Sequence, residues 1–341
     1  MTENGKPDAA APSLPAPSFH TDASASDRAA EEDDDAASFA SSDLEAVVMT
    51  PAVDENTRAL VDSLRERIRA SGIQLSASER RWSDDACLSR FLRARRRHVG
   101  RAYRQWQETL LWRREFGVEE MMLRADLADV RHQSETGKMY VHGYDKYNRP
   151  LVIMTPRLQN TSERKTSQGQ MRHLVYTLER AVAMMRPPVE KLCLIIDFQG
   201  YSLRNAPSLQ VQRQTLKILQ DHYPERLGMA ICIDAPVLFW TFFQLIKPFI
   251  DKRTAAKIKF AERKAKPGTR THMGTLLQAY VDGHVLPAGL GGKSSWRYSN
   301  QEYFARRIIP SYLCECLPAD DGAAEDVDGS TDTFWDAECR A

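Results

Sequence analysis

The sequence predicts an α/β fold: a helical N-terminal lobe, then a mainly parallel sheet with helices laid across it. Three observations carry this. Apolar residues recur at helical spacing in the first part of the globule, whereas short apolar runs alternate with amphipathic stretches in the second. Residues 192–196 are continuously apolar, as a strand covered on both faces would be. Residues 223–260 read as buried strand, apolar helix and second short strand, with the charged residues Glu225, Arg226, Lys247, Asp251 and Lys257 at the junctions.

Taken in order, residues 1–54 are rich in Ala, Ser, Pro and acid. Such a segment buries too little apolar surface to offset its ordering entropy and is expected to be disordered. Leu60, Val61, Leu64 and Ile68 mark an amphipathic helix closed by Gly72. Ser83, ahead of Asp84 and Asp85, is the expected N-cap of the next helix. That helix turns Leu88, Phe91 and Leu92 inward among Arg90, Arg93, Arg95, Arg96 and Arg97; a solvated face is the expected setting of Arg93, Arg96 and Arg97. A third helix spans residues 99–116 with Ala102, Trp106, Leu110 and Arg113 at helical spacing.

This lobe occupies 55–120, and the larger domain 121–300. Residues 139–142 and 151–154 read as strands joined by the turn-rich segment 145–150. A helix over 167–185, the strand at 192, a helix to about residue 222 and a strand over 229–234 make a parallel βαβ arrangement. Pro236 opens an apolar helix reaching to residue 249, and a short strand is expected around 255–260. An extension over 301–317 and a second disordered acidic tail, 318–341, complete the chain.

A formal net charge of +1 conceals a segregation. Up to residue 54 there are 2 Lys/Arg against 12 Asp/Glu, from 318 onward 1 against 8, and between them 44 against 26. Two acidic ends flank a basic globule, which points to an anionic membrane or nucleic acid as partner. The N-terminus shows no signal-peptide pattern and no run reaches 18 apolar residues, so a cytoplasmic, at most peripherally membrane-associated protein is expected. Six Cys make no C-x-x-C, and two lie in strand runs, which favours reduced thiols.

Enzyme motifs fail on inspection. Gly289 to Ser294 resembles the tail of a P-loop, but Pro287 stands where the first Gly is required. Eight His show no H-x-x-x-H or H-E-x-x-H spacing for zinc, and no G-x-S-x-G elbow exists. Neither a catalytic residue, a metal nor a cofactor is expected. The apolar helix is the informative element: Phe239, Trp240, Phe242, Phe243, Leu245 and Ile246 put bulky side chains nearly all round it. At roughly ten residues it is about half a membrane span, so it is buried or faces something as apolar as lipid.

The segment DDACLSRFLRARRRHVGRAYRQWQETLLWRREFG, with its F-L-R-A-R and W-R-x-E-F-G, precedes Y-P-E-R, A-P, K-P-F, K-I-K and the closing L-P-x-x-x-G-G at 286–292. In that order these motifs resemble the CRAL-TRIO lipid-binding family, in particular the secretory-pathway phosphatidylinositol transfer proteins, over about residues 57–292. The resemblance implies a CRAL-TRIO fold enclosing an apolar lipid cavity, with one phospholipid bound as ligand beneath a mobile gating helix. Here that helix is 236–249, hinged near Pro236 and Pro248, with Phe239, Trp240, Phe242, Phe243 and Ile246 facing lipid or membrane. It implies a phosphatidylinositol headgroup site of Arg95, Glu225, Arg226, Thr254 and Lys257. Arg and Lys suit the phosphate through charge-assisted hydrogen bonds, and Glu suits inositol hydroxyls. The structural alternative is a Glu225–Arg95 or Glu225–Arg226 ion pair that only braces the fold.

Two departures stand out. Leu192, Leu194 and Val152 occupy positions where relatives that carry phosphatidylcholine place hydroxyls, so phosphatidylcholine is disfavoured as a second ligand. Glu262 replaces a hinge Gly. The implied activity is non-enzymatic binding of phosphatidylinositol with transfer or presentation between membranes, the anionic membrane surface being the partner and not nucleic acid. Alternatives are a carrier of a sterol or a tocopherol- or retinal-like ligand, or a lipid-sensing scaffold without transfer. In the acidic tail, Thr333, Phe334, Trp335, Asp336 and Ala337 resemble the FFAT motif, which implies a VAP-type receptor at the endoplasmic reticulum.

Overall fold

Asp54 opens helix α1 (Glu55–Ala70) by accepting from the Thr57 amide at 2.6 Å, and the helix turns Val61, Leu64 and Ile68 inward. This computed structural model describes residues 54–124, 127–159, 167–202, 204, 206–246 and 255–316. The expectations for residues 1–53 and 317–341, for Thr254 and Pro248, and for the motif Phe334, Trp335, Asp336 and Ala337 lie outside the described residues. Helix α2 (Ala77–Trp82) starts behind a capping box of Ser76 and Glu79, and α3 (Asp85–Ala94) and α4 (Val99–Phe116) follow.

The N-cap of α3 is Asp84, not Ser83. Its carboxylate accepts from the Cys87 amide at 2.7 Å, while the buried Ser83 hydroxyl accepts from the Trp106 indole at 3.1 Å. A carboxylate satisfies the orphan amide and the positive helix end at once, which leaves the hydroxyl to a buried indole that needs a partner. Phe91, Leu92, Trp106 and Leu110 join the α1 residues in one small core.

Helices α5 (Val118–Leu123) and α6 (Ala128–Ser134), not anticipated from the sequence, lead into β1 (Met139–Tyr144) and β2 (Pro150–Met154), an antiparallel pair. Then come α7 (Ser167–Ala183), β3 (Leu192–Asp197), α8 (Leu209–His222), β4 (Leu227–Ile233), α9 (Val237–Ile246) and β5 (Ile258–Ala261). The five strands lie in sequence order, and β2 to β5 run parallel. The last strand begins later than residue 255: Ala255 and Ala256 are helical and Lys257 is in a turn. Two alanines favour the helical state, and the strand starts at the β-branched Ile258. Helices α10 (Met273–Tyr280) and α11 (Asn300–Ala305) follow. Gly292 ends the closing motif because a Cβ there would lie 1.9 Å from the Leu286 carbonyl oxygen.

Register assigns the strand residues to two faces of unlike character. Leu151, Ile153, Cys193, Ile195, Met229, Ile231, Ile233 and Ala261 share one face, all buried in the main core with Val175, Leu178 and Ala181 of α7. Val152, Met154, Leu194, Ile196, Ala230, Cys232, Ile258 and Phe260 share the other. There Met154, Leu194, Ile196, Ile258 and Phe260 are only half-buried.

A buried polar cluster ties the helical lobe to the main core. Arg113 of α4 donates to Glu179 of α7 at 2.8 Å, and the Tyr223 and Tyr312 hydroxyls each donate to the same carboxylate at 2.7 Å. Burial pushes the Glu179 carboxyl up, but the Arg113 charge together with the hydrogen bonds from Arg113, Tyr223 and Tyr312 more than offsets it and holds the carboxyl below its ordinary range.

Candidate functional site

Because β3, β4 and β5 are parallel, their N-terminal ends share one edge of the sheet. Lys191 immediately precedes β3, Glu225 and Arg226 precede β4, and Lys257 precedes β5. Backbone bonds knit these ends together: the Leu192 amide donates to the Arg226 carbonyl at 2.8 Å, and the Ala230 amide to the Lys257 carbonyl at 2.9 Å. Glu225 adopts φ 61°, a left-handed conformation that a non-Gly residue holds only against strain.

Helix α3 crosses to this edge. Arg90 pairs with Glu190 at 3.2 Å and Arg93 with the same carboxylate at 2.5 Å, while Arg226 donates to the Glu190 carbonyl at 2.9 Å. The expected solvated setting of Arg93 is therefore corrected: a buried carboxylate holds it in place, since an unpaired one would be costly. Arg96 and Arg97 are exposed as expected, and Arg97 lies 3.8 Å from Asp54. Arg95 is the half-buried residue that ends α3. Among the described residues Glu225 pairs with neither Arg95 nor Arg226, so the bracing alternative is not what the geometry contains.

Lys191 and Lys257 are both buried, at 6% and 7% exposure. Burial, then the charge of Lys257, pushes the Lys191 ammonium down to about 8, against the opposing pull of Glu225 and Glu190. Burial and Arg90 push the Arg226 guanidinium down to about 10, still charged at neutral pH. Among the described residues, Arg90, Arg93, Lys191, Arg226 and Lys257 cluster here with the carboxylates of Glu190 and Glu225, and Arg226 is also within reach of Glu179, so cations outnumber carboxylates at this edge. Of the residues singled out from the sequence, Glu225, Arg226 and Lys257 lie at these strand starts and Arg95 ends α3, whereas Glu190 and Lys191 were not among them. Their signal was the charged pair directly before a continuous apolar strand.

The half-buried face lies under α9. Phe239 sits 4.8 Å from Phe198 and 6.5 Å from Phe260 between ring centroids, and Phe243 sits 5.3 Å from Phe260. Phe239 and Trp240 are half-buried and Phe243 is buried; Phe242 and Ile246 fall within the span of α9. Val237 at its first turn is 73% exposed. At the base of α9, Arg263 reaches the carboxylates of Asp234 at 2.5 Å and Asp197 at 2.8 Å, and Glu262 is an exposed bridge residue paired with His272. Among the described residues no helix is long and apolar enough to cross a membrane.

Residues 134–292 match the family model of the CRAL/TRIO domain. A CRAL-TRIO domain-containing protein of Schizosaccharomyces pombe is 40% identical over 230 residues, covering 67% of this chain and 21% of the relative, so the chain spans about a fifth of that protein's length. The phosphatidylinositol transfer protein PDR17 of Saccharomyces cerevisiae is 34% identical over 254 residues, covering 72% of this chain and 67% of the relative. The crystal structure of Sfh5 superposes with a TM-score of 0.58 at 16% identity over 78% of this chain and 97% of that one, a likeness of fold.

Proposed function

Because the chain belongs to the CRAL/TRIO lipid-binding family, we propose that it binds phosphatidylinositol in an internal cavity and transfers or presents it between membranes, without catalysis. One observation supports this above all: a half-buried apolar sheet face beneath the aromatic helix α9 and an electropositive strand edge in the same sheet. Acyl chains suit the first and an anionic headgroup the second. Arg95, Glu225, Arg226, Thr254 and Lys257 are the proposed headgroup set. Val152, Leu194 and Ala230 stand side by side on the apolar face and offer no side-chain donor, so phosphatidylcholine is a poor second ligand. Docking runs through α9 onto an anionic bilayer and weakens with salt.

The test is extraction of labelled phosphatidylinositol from vesicles by full-length protein, Lys257→Ala and Arg226→Ala. Loss of one charged hydrogen bond costs roughly 1.5–3 kcal/mol, so loading should fall at least tenfold in each. Variants that fold normally and load as well as the parent would show that the headgroup lies elsewhere.

A further inference from the structure

Only residues 223–226 separate α8 from β4, and they include the proposed headgroup residues Glu225 and Arg226. The last carbonyls of an α-helix have no partner inside it. At the end of α8 that need is met from the helical lobe. The Gln105 side-chain amide donates to the Gln220 and Asp221 carbonyls at 3.3 and 2.9 Å. The Thr109 hydroxyl donates to the Asp221 carbonyl at 3.2 Å and lies at the same distance from His222 Nδ1. Gln105 and Thr109 stand one turn apart on α4 and are both buried, at 3% and 0% exposure. Three residues further on, Trp112 stacks on His222 with 4.1 Å between ring centroids and 6° between planes. At the far side of the link, the Leu192 amide donates to the Arg226 carbonyl at 2.8 Å. Arg149 fills the space that a Cβ on Gly228 would need, its Cδ 2.8 Å away. Between these two anchorages Glu225 holds φ 61°, a conformation that persists only where the surroundings impose it.

Resting on the headgroup reading above, we infer that Gln105 and Thr109 are positioning residues for the headgroup corner, acting through the end of α8 on Glu225 and Arg226. Two donors from one helix fix the last turn of α8 and hence the point from which the link starts. So short a link has little slack, and Pro224 within it fixes one dihedral, so a shift at Asp221 is passed on to Glu225. With both donors in place the carboxylate and guanidinium are set before the lipid arrives, which spares binding the cost of ordering them. Without the donors Glu225 relaxes toward ordinary backbone, and the headgroup meets groups that must first be ordered. Neither Gln105 nor Thr109 touches the lipid. Their loss therefore weakens phosphatidylinositol loading only as far as Glu225 and Arg226 contribute to it.

The experiment uses the full chain and vesicles of phosphatidylcholine containing labelled phosphatidylinositol. Loading, thermal melting and amide exchange over residues 220–228 are read on each variant. Gln105→Met and Thr109→Val keep the size of the side chain and remove the donor, whereas Thr109→Ser keeps the hydroxyl. The first two should each load roughly fivefold less than the parent, the effect of one buried hydrogen bond, with faster exchange in the link. Thr109→Ser should load like the parent. In an Arg226→Ala background, which has already lost that contact, Gln105→Met and Thr109→Val should cost clearly less than they do alone, because residues that act through one another are not additive. An equal loss in both backgrounds, or a loss that only follows the folded fraction in the melt, would make the two residues structural and overturn their positioning role while the headgroup reading stands. Unchanged loading in both donor-free variants would do the same, and a Thr109→Ser that falls as far as Thr109→Val would remove Thr109 from the role. If Arg226→Ala itself loads as well as the parent, or the parent takes up no phosphatidylinositol, the headgroup reading fails and the positioning role with it.

Discussion

Ile195 and Ile196 are neighbours on β3, identical in chemistry, and they face opposite sides of the sheet. Ile195 is fully buried with Leu151, Ile153, Ile231 and Ile233; Ile196 is half-buried with Leu194, Ile258 and Phe260. Helix α7 joins the first face in one continuous core that also takes in Tyr303, Phe304 and Leu313 from the C-terminal segment. Against the second face stand the rings of Phe198, Phe239 and Phe243. Apolar composition is thus the same on both sides, and what differs is completeness of packing. A sealed face stabilises the fold, whereas an unsealed one keeps apolar surface for something that comes and goes.

The sharpest way to break the sealed side is at its polar tie. Glu179 accepts from Arg113, Tyr223 and Tyr312, all inside the protein. Glu179→Ala leaves the Arg113 guanidinium buried and unpaired, which costs about 3–5 kcal/mol. Urea unfolding should show a large fall in midpoint, and a fall below 1 kcal/mol would mean that the cluster does not hold the helical lobe to the sheet.

The matched isoleucines test the comparison directly. Ile195→Ala should cost about 2–5 kcal/mol, because a cavity opens in close packing that cannot collapse. Ile196→Ala should cost under half of that in the ligand-free protein, since its surroundings are already incomplete, yet lower lipid loading. Equal destabilisation by the two would erase the distinction between the faces.

A smaller effect concerns His173 of α7, which is 1% exposed in the sealed core. Burial, then the nearby charge of Lys138, pushes its imidazole down to about 3, so it is neutral in the folded state. The unfolded chain, titrating near its ordinary value of about 6.5, binds the proton first as pH falls. Stability from this group is therefore complete above about pH 6.5 and is lost progressively toward pH 3, by roughly 2 kcal/mol at about pH 5. His173→Phe should flatten the parent's stability profile over that window; identical slopes would mean that His173 is charged or solvated in the fold.

The order of strands and helices was legible because periodicity survives in a single chain: the third helix, residues 99–116, coincides with α4. The βαβ alternation likewise gave the parallel strands. What escaped was local competition and long-range meeting. Ser83 and Asp84 are both good caps, and only the position of the Trp106 indole decides between them. Arg93 and Glu190 lie 97 residues apart, so no spacing could reveal that one anchors the other. The position of Lys191 before an apolar strand was in the sequence, but its neighbours were not, because they come from three different segments. The two faces were half-legible: a continuous apolar run says that both are covered, not that one is covered loosely.

The smallest expected change in stability lies at the rim of the unsealed side. Val237, at the start of α9, is 73% exposed. An exposed substitution that removes no buried contact shifts stability by about 0.5 kcal/mol or less, and an acid in the first turn suits the positive helix end. Val237→Asp should therefore melt like the parent. If α9 docks on an anionic bilayer, the same change adds a negative charge at the contact and removes a side chain that would enter the interface. Co-sedimentation with anionic vesicles at low salt should then weaken several-fold while stability stays put. Unchanged sedimentation would mean that α9 meets lipid only from the cavity side, and that its outer turn never touches the membrane.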